Sequence, residues 1–233
     1  MTTFVLVHGA WHGAWCWDLL RPELVQRGHD VVTMDLPCDD PDATLETYAD
    51  VVCAAMDRRG DSDAVIVGHS LAGLTVPLVS ARRPLRRLVY LCALIPEPGL
   101  TFVEQNRGGV IVAPAALAGL GDVDERGCKS WLDPGLTRRA FLDDCSDLVA
   151  EWAISRLRPQ AFGRYTERCA LGELPSIAST SVICTDDRIV SNDWSRRTAR
   201  DRLGADVIEF PGGHSPYLSR PSDNLADVLH ALA

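Results

Sequence analysis

A chain of 233 residues lies within the range that one α/β sheet fills as a single unit, and 46% apolar with 24% charged residues suits a globular protein with a sizeable core. The formal charge of −9 at pH 7 argues against a nucleic-acid partner, because proteins that grip the phosphate backbone concentrate basic surface. No stretch reaches the roughly 20 apolar residues of a membrane span, so no membrane partner is expected.

Taken from the beginning, the chain enters a β-branched, apolar run at Phe4–Val7 with no basic segment or cleavage site before it. Residues 17–28 read as a helix ending near Gly28, followed by a strand at Val31–Met34. Residues 44–58 read as a helix opening at Thr44, with Tyr48, Val51, Val52 and Ala55 on one stripe. A strand at Ala64–Val67 and a helix over 71–82 come next, and then Arg82, Arg83, Arg86 and Arg87 cluster around Pro84 in what reads as a solvated turn. Leu88–Leu91 is the fourth strand. More than 80 residues then separate Ala93 from the next strand at Ser181–Cys184, far above an ordinary connection. We expect a mostly helical cap inserted there at about 97–171, with a Gly/Ala-rich part at 108–121 and helical segments at Thr137–Val149 and Glu151–Leu157. A helix over 194–203, a strand at Val207–Phe210 and a helix over 222–232 complete the chain.

Six apolar strands alternating with helices predict a doubly wound, mainly parallel six-stranded sheet, because strands covered on both faces are apolar almost continuously. Ligands of such sheets gather at the carboxyl ends of the strands. The expected organisation is one domain over 1–233, its core formed by 1–96 and 172–233. The eight cysteines are scattered without paired spacing, and Cys92 and Cys184 fall inside apolar runs, where a thiol acts as a small hydrophobe. A reducing, cytoplasmic setting is expected.

The segment Gly68-His69-Ser70-Leu71-Ala72 follows a strand and precedes a helix, the context of a nucleophile on a sharp turn. Ala72 stands where a second glycine is usual, with Gly73 one place later. By itself the motif reads equally as a serine capping the next helix. A serine needs a general base, and the base needs a carboxylate to hold it. His214, in Phe210-Pro-Gly-Gly-His-Ser-Pro216, follows the last strand, whereas His230 falls on the final helix and reads as a surface residue. For the acid, Cys184-Thr-Asp-Asp-Arg-Ile-Val190 offers Asp187, with Asp186 in reserve and Glu97 as an earlier-strand alternative; either aspartate also reads as a helix cap. Oxyanion donors are expected at the N–H groups of Leu71 and Ala10, the latter in His8-Gly9-Ala10-Trp11, a loop that His8 would brace. Trp11, His12, His69, Trp131 and Trp152 are candidate substrate contacts, with Phe102, Phe162 and Tyr165 as further pocket walls or cap core.

The opening His8-Gly9-Ala10-Trp11-His12-Gly13-Ala14-Trp15, the Ser70 turn and the late Asp187 and His214 resemble the hydroxynitrile lyase and plant methylesterase branch of the α/β hydrolases. The likeness spans the core and is weak through the cap. It implies an α/β-hydrolase fold and a cofactor-independent serine esterase acting on a small, mainly apolar methyl or aryl ester. In the lyases of that branch a threonine follows the first histidine and a lysine follows the catalytic one. This chain has Gly9 and Ser215 there, and its only lysine, Lys129, lies in the cap. The alternatives are a carbon–carbon lyase using the same three groups for acid–base chemistry, and a small-molecule receptor without catalysis. A homodimer is compatible with the sequence.

Overall fold

The computed structural model describes residues 1–58 and 63–233. Six strands, β1 (Thr3–Val7), β2 (Asp30–Thr33), β3 (Ala64–His69), β4 (Leu85–Leu91), β7 (Ser179–Cys184) and β8 (Asp206–Phe210), form one sheet in the order β2-β1-β3-β4-β7-β8. Every neighbouring pair is parallel. A second, two-stranded antiparallel ribbon pairs β5 (Cys128–Lys129) with β6 (Gln160–Ala161) inside the long insertion.

All six expected strands are present, and their burial explains their composition. β1, β3 and β7 are buried at every position, whereas the edge strand β8 keeps only Phe210 buried. Each buried Val or Ile of the central strands contributes about 2 kcal/mol through apolar area removed from water. The helices are α1 (Leu20–Gln26), α2 (Leu45–Asp57), α3 (Val76–Ser80), α4 (Phe102–Gln105), α5 (Pro134–Phe141), α6 (Asp147–Ile154), α7 (Gly163–Thr166), α8 (Asn192–Leu203), α9 (Pro216–Ser219) and α10 (Ala226–Ala231). α2 packs on α3, α1 on α10, and α8 on β7 and β8.

The Thr44 hydroxyl accepts the Thr47 N–H and caps α2 where the sequence predicts it. The Ser191 hydroxyl likewise caps α8, so neither Asp186 nor Asp187 serves as that cap. Two expected helices differ. The run 71–82 is a tight turn over Ser70–Leu74 followed by α3, because Pro77 has no N–H to carry a helix across. The segment Thr137–Val149 divides into α5 and α6. Asp143 and Asp144 leave the helix to bond Arg188 and Gly213 N–H, and Ser146 caps a new start. The arginines around Pro84 pair with Asp50, Asp57 and Asp63 at the surface, as a solvated turn should. Among the described residues no helix is long and apolar enough to cross a membrane.

Candidate active site

The loops at the carboxyl ends of β1, β3, β4, β7 and β8 converge. Among the described residues only Trp11, Ser70 and Cys92 are non-glycines with left-handed backbone, at φ 63°, 53° and 47°, and each follows one of these strands. Such strain persists where surrounding packing holds it, and it gathers at functional sites. Ser70 is the first residue past β3, so its side chain is thrown clear of the sheet edge. Close approaches surround the turn. A Cβ on Gly9 would stand 2.8 Å from that of Ser70, and one on Gly73 would overlap the Leu94 carbonyl oxygen. Glycine is therefore demanded at position 73, where backbone blocks a Cβ, and a Cβ on Gly68 would press on Val76, whereas Ala72 already carries its Cβ in the buried core.

Ser70, His214 and Asp187 form one hydrogen-bonded chain. Ser70 Oγ lies 3.0 Å from His214 Nε2, and His214 Nδ1 lies 2.9 Å from Asp187 Oδ2. Asp187 Oδ1 also accepts the N–H groups of Ile189 and Val190, so the carboxylate is held from its own turn. With a carboxylate beside it, Nδ1 carries the proton and Nε2 is left to accept the serine hydroxyl. Asp186 is exposed, and the Glu97 carboxylate pairs with Arg202 instead. His230 is exposed on α10 and bonds His29.

Three further histidines are buried and neutral, each with a distinct task. His8 Nδ1 donates to Gly9 O at 2.8 Å, while Nε2 accepts Leu36 N–H at 2.9 Å; burial lowers its pKa to about 4. Because the Gly9–Ala10 peptide is planar and trans, anchoring Gly9 O on one side aims Ala10 N–H the opposite way. His12 Nδ1 donates to Ala10 O at 2.7 Å and its ring stacks on Trp15; burial takes its pKa to about 3. His69 Nε2 donates to the His214 carbonyl at 2.9 Å, and Tyr217 Oη, at 3.4 Å, faces its other nitrogen. Burial holds the His69 pKa well below 6.5.

Above Ser70 opens a cavity of about 240 Å³, lined by Ser70, Leu71 and Trp11 and by Phe102, Phe162 and Tyr165 of the insertion. Of the sequence-predicted contacts, Trp11 lines it and His12, His69, Trp131 and Trp152 do not. Trp131 packs edge-on against Trp11 and Phe141 one layer back, and Trp152 lies against Trp15 and Arg156. Tyr217, Cys92 and Asp144 escaped sequence reasoning. Cys92 falls in an apolar run of the sequence, yet its sulfur comes within 4.8 Å of ligand atoms of Asp187 and His214. That trio is not poised for a metal, since His214 is engaged at both nitrogens and burial pushes the Cys92 thiol up, keeping it protonated.

A parallel sheet with a strained serine after β3 and a buried histidine–aspartate pair after its last strands defines the hydrolase class, and residues 4–228 match the alpha/beta hydrolase family, to which the chain belongs. It is 36% identical over 263 aligned positions to Methylesterase 3 of Arabidopsis thaliana, covering 97% of this chain and 94% of that one. It is 28% identical to the carbendazim hydrolyzing esterase of Nocardioides sp. (strain SG-4G), with all of both chains covered. Among solved structures, a pyrethroid hydrolase from Sphingobium faniae JZ-2 superposes with a TM-score of 0.82 at 24% identity, covering 99% of this chain and 96% of that one.

Proposed function

We propose that this protein is a cofactor-independent serine hydrolase that cleaves a small, mainly apolar carboxylic ester, methyl or aryl, through an acyl-enzyme. The observation that carries this reading is the Ser70 Oγ to His214 Nε2 contact of 3.0 Å, backed by Asp187, at an apolar cavity. The esterase names of its relatives support the same chemistry.

In this reading Ser70 Oγ attacks the ester carbonyl as its proton passes to His214 Nε2, and Asp187 steadies the imidazolium through Nδ1. The N–H groups of Ala10 and Leu71 receive the oxyanion, the first aimed by His8 through the Gly9 carbonyl. Collapse breaks the bond to the alkoxy oxygen, which takes the proton from His214 and leaves as the alcohol. Water, deprotonated by His214, then releases the acid and restores Ser70. The insertion acts as a cap over 97–171 on a single domain, supplying Phe102, Phe162 and Tyr165 to the substrate cavity. Hydrolysis is favoured over a lyase reaction because Ser215, next to His214, is fully buried with its hydroxyl facing Tyr217 and offers no cation to a leaving cyanide. Eight buried, unpaired thiols suit a reducing cytoplasm.

The test is a panel of 4-nitrophenyl and methyl esters. Wild-type protein should turn over short apolar members, and Ser70→Ala should reduce this to background. Undiminished turnover by Ser70→Ala would contradict the reading.

A further inference from the structure

Apart from Ser70, the cavity takes its polar lining from Asn106, whose amide is spent on Ile111 and Val112, and from the ribbon of β5 and β6. Lys129 and Gln160 are direct cross-strand partners in that ribbon, and both line the cavity. Residues facing each other across a ladder project to the same side, so the ribbon presents the two polar side chains as a pair. Lys129 is the only lysine of the chain and, among the described residues, the only charged one lining the cavity.

Its surroundings leave the charge uncompensated. Arg82, Arg83, Arg86, Arg168, Arg196 and Arg202 each pair with a carboxylate. Among the described residues Lys129 makes no ion pair; its ammonium stands over the Phe162 ring, 5.7 Å from the centroid. The half-buried side chain thus sits by an aromatic face, which attracts a cation weakly compared with a carboxylate. Gln160 is buried and spends its Nε2 on Tyr48 Oη and Ala161 O, leaving Oε1 as an acceptor without a partner. An ammonium has three donors, enough for Gln160 Oε1 and for a ligand group together. A neutral ligand acceptor would satisfy a donor but leave the charge. An anion satisfies both.

We propose that Lys129 is a specificity-determining residue that selects esters carrying a carboxylate remote from the scissile bond, that is, monoesters of dicarboxylic acids. The apolar body of such a substrate lies along Phe102, Phe162 and Tyr165, its ester at Ser70 and its free carboxylate at Lys129. This rests on the ester-hydrolase reading and sharpens it from an apolar ester to one with an anionic far end.

The test uses monomethyl dicarboxylates of graded length, each beside an isostere whose free carboxylate is replaced by a carbamoyl group of the same shape. Binding is measured by calorimetry on Ser70→Ala. We expect at least one length to bind tenfold or more tighter as the carboxylate than as the carbamoyl isostere. That preference should vanish in Ser70→Ala/Lys129→Met and persist in Ser70→Ala/Lys129→Arg. In wild-type turnover the carboxylate-to-carbamoyl ratio of kcat/KM should fall at least tenfold on Lys129→Met. Equal binding at every length, or a preference that survives Lys129→Met, would overturn the proposal. Failure of the wild type to hydrolyse any ester would strike the enzymatic reading instead, and the binding comparison would still decide the role of Lys129.

Discussion

Ser70 owes its exposure to one backbone torsion and its partner to one loop. At φ 53° its side chain leaves the sheet edge, and the His214 ring meets it at 3.0 Å with Asp187 behind. Asp187→Asn retains the shape of that pair but presents an amide to Nδ1, favouring the tautomer with its proton on Nε2. The turnover number should fall roughly 10,000-fold on an activated aryl ester. Asp186→Asn, at an exposed side chain, should stay within about twofold of wild type; a reversed order would reassign the acid. That Ser70, Asp187 and His214 come together was legible in the sequence because each lies within four residues of a strand's carboxyl end, in the order that brings them to one edge. The second layer was not. His12 and His69 look like substrate contacts in a motif, and only packing reveals that one holds Ala10 O and the other the His214 carbonyl. The contacts of Tyr217 with His69 and of Asp144 with Gly213 had no local signal, since those partners lie far away in sequence.

At the scale of elements, the central strands β1 and β3 could be read because burial on both faces writes itself as nearly unbroken apolar runs, and the partly exposed β2, β4 and β8 because short apolar stretches remain in them. The long insertion resisted reading because its helices are short and broken for reasons that lie outside it. The break between α5 and α6 exists to serve the core: Asp143 reaches Arg188 beside the Asp187 turn, and Asp144 Oδ2 accepts Gly213 N–H at 3.0 Å, one residue before His214. The insertion thereby ties down both loops that carry Asp187 and His214. Asp144→Ala leaves the buried Gly213 N–H without a partner, at a cost of about 1–3 kcal/mol. Thermal denaturation should register that loss. The kcat should drop several-fold with a smaller change in KM, and Asp144→Asn, which keeps an acceptor oxygen, should recover most of it. A stability loss with no change in kcat would mean that the contact does not position His214.

The whole molecule carries a pH signature from the three buried neutral histidines around the site, with His29, also lowered by burial, adding in the same direction. Burial lowers His8 to about 4, His12 to about 3, and His69 well below 6.5. As pH falls below 6.5 the unfolded chain takes up protons at all three positions while the folded protein stays unprotonated, so stability must fall. Each group contributes a slope of about 1.4 kcal/mol per pH unit once its unfolded form is fully protonated. Urea midpoints should therefore decline steadily from pH 7 toward pH 4.5, with the three rings together taking up nearly three protons on unfolding near pH 5 and His29 adding to that uptake. A flat profile in that window would contradict the assignment of these rings as neutral. The central claim, that Ser70 becomes covalently acylated, is read most directly from the mass of the intact protein. Rapid acid quenching during turnover of a 4-nitrophenyl ester should reveal one added acyl group, located by peptide mapping to Ser70 and missing in Ser70→Ala. An acyl group on another residue, or an undiminished adduct in Ser70→Ala, would contradict it.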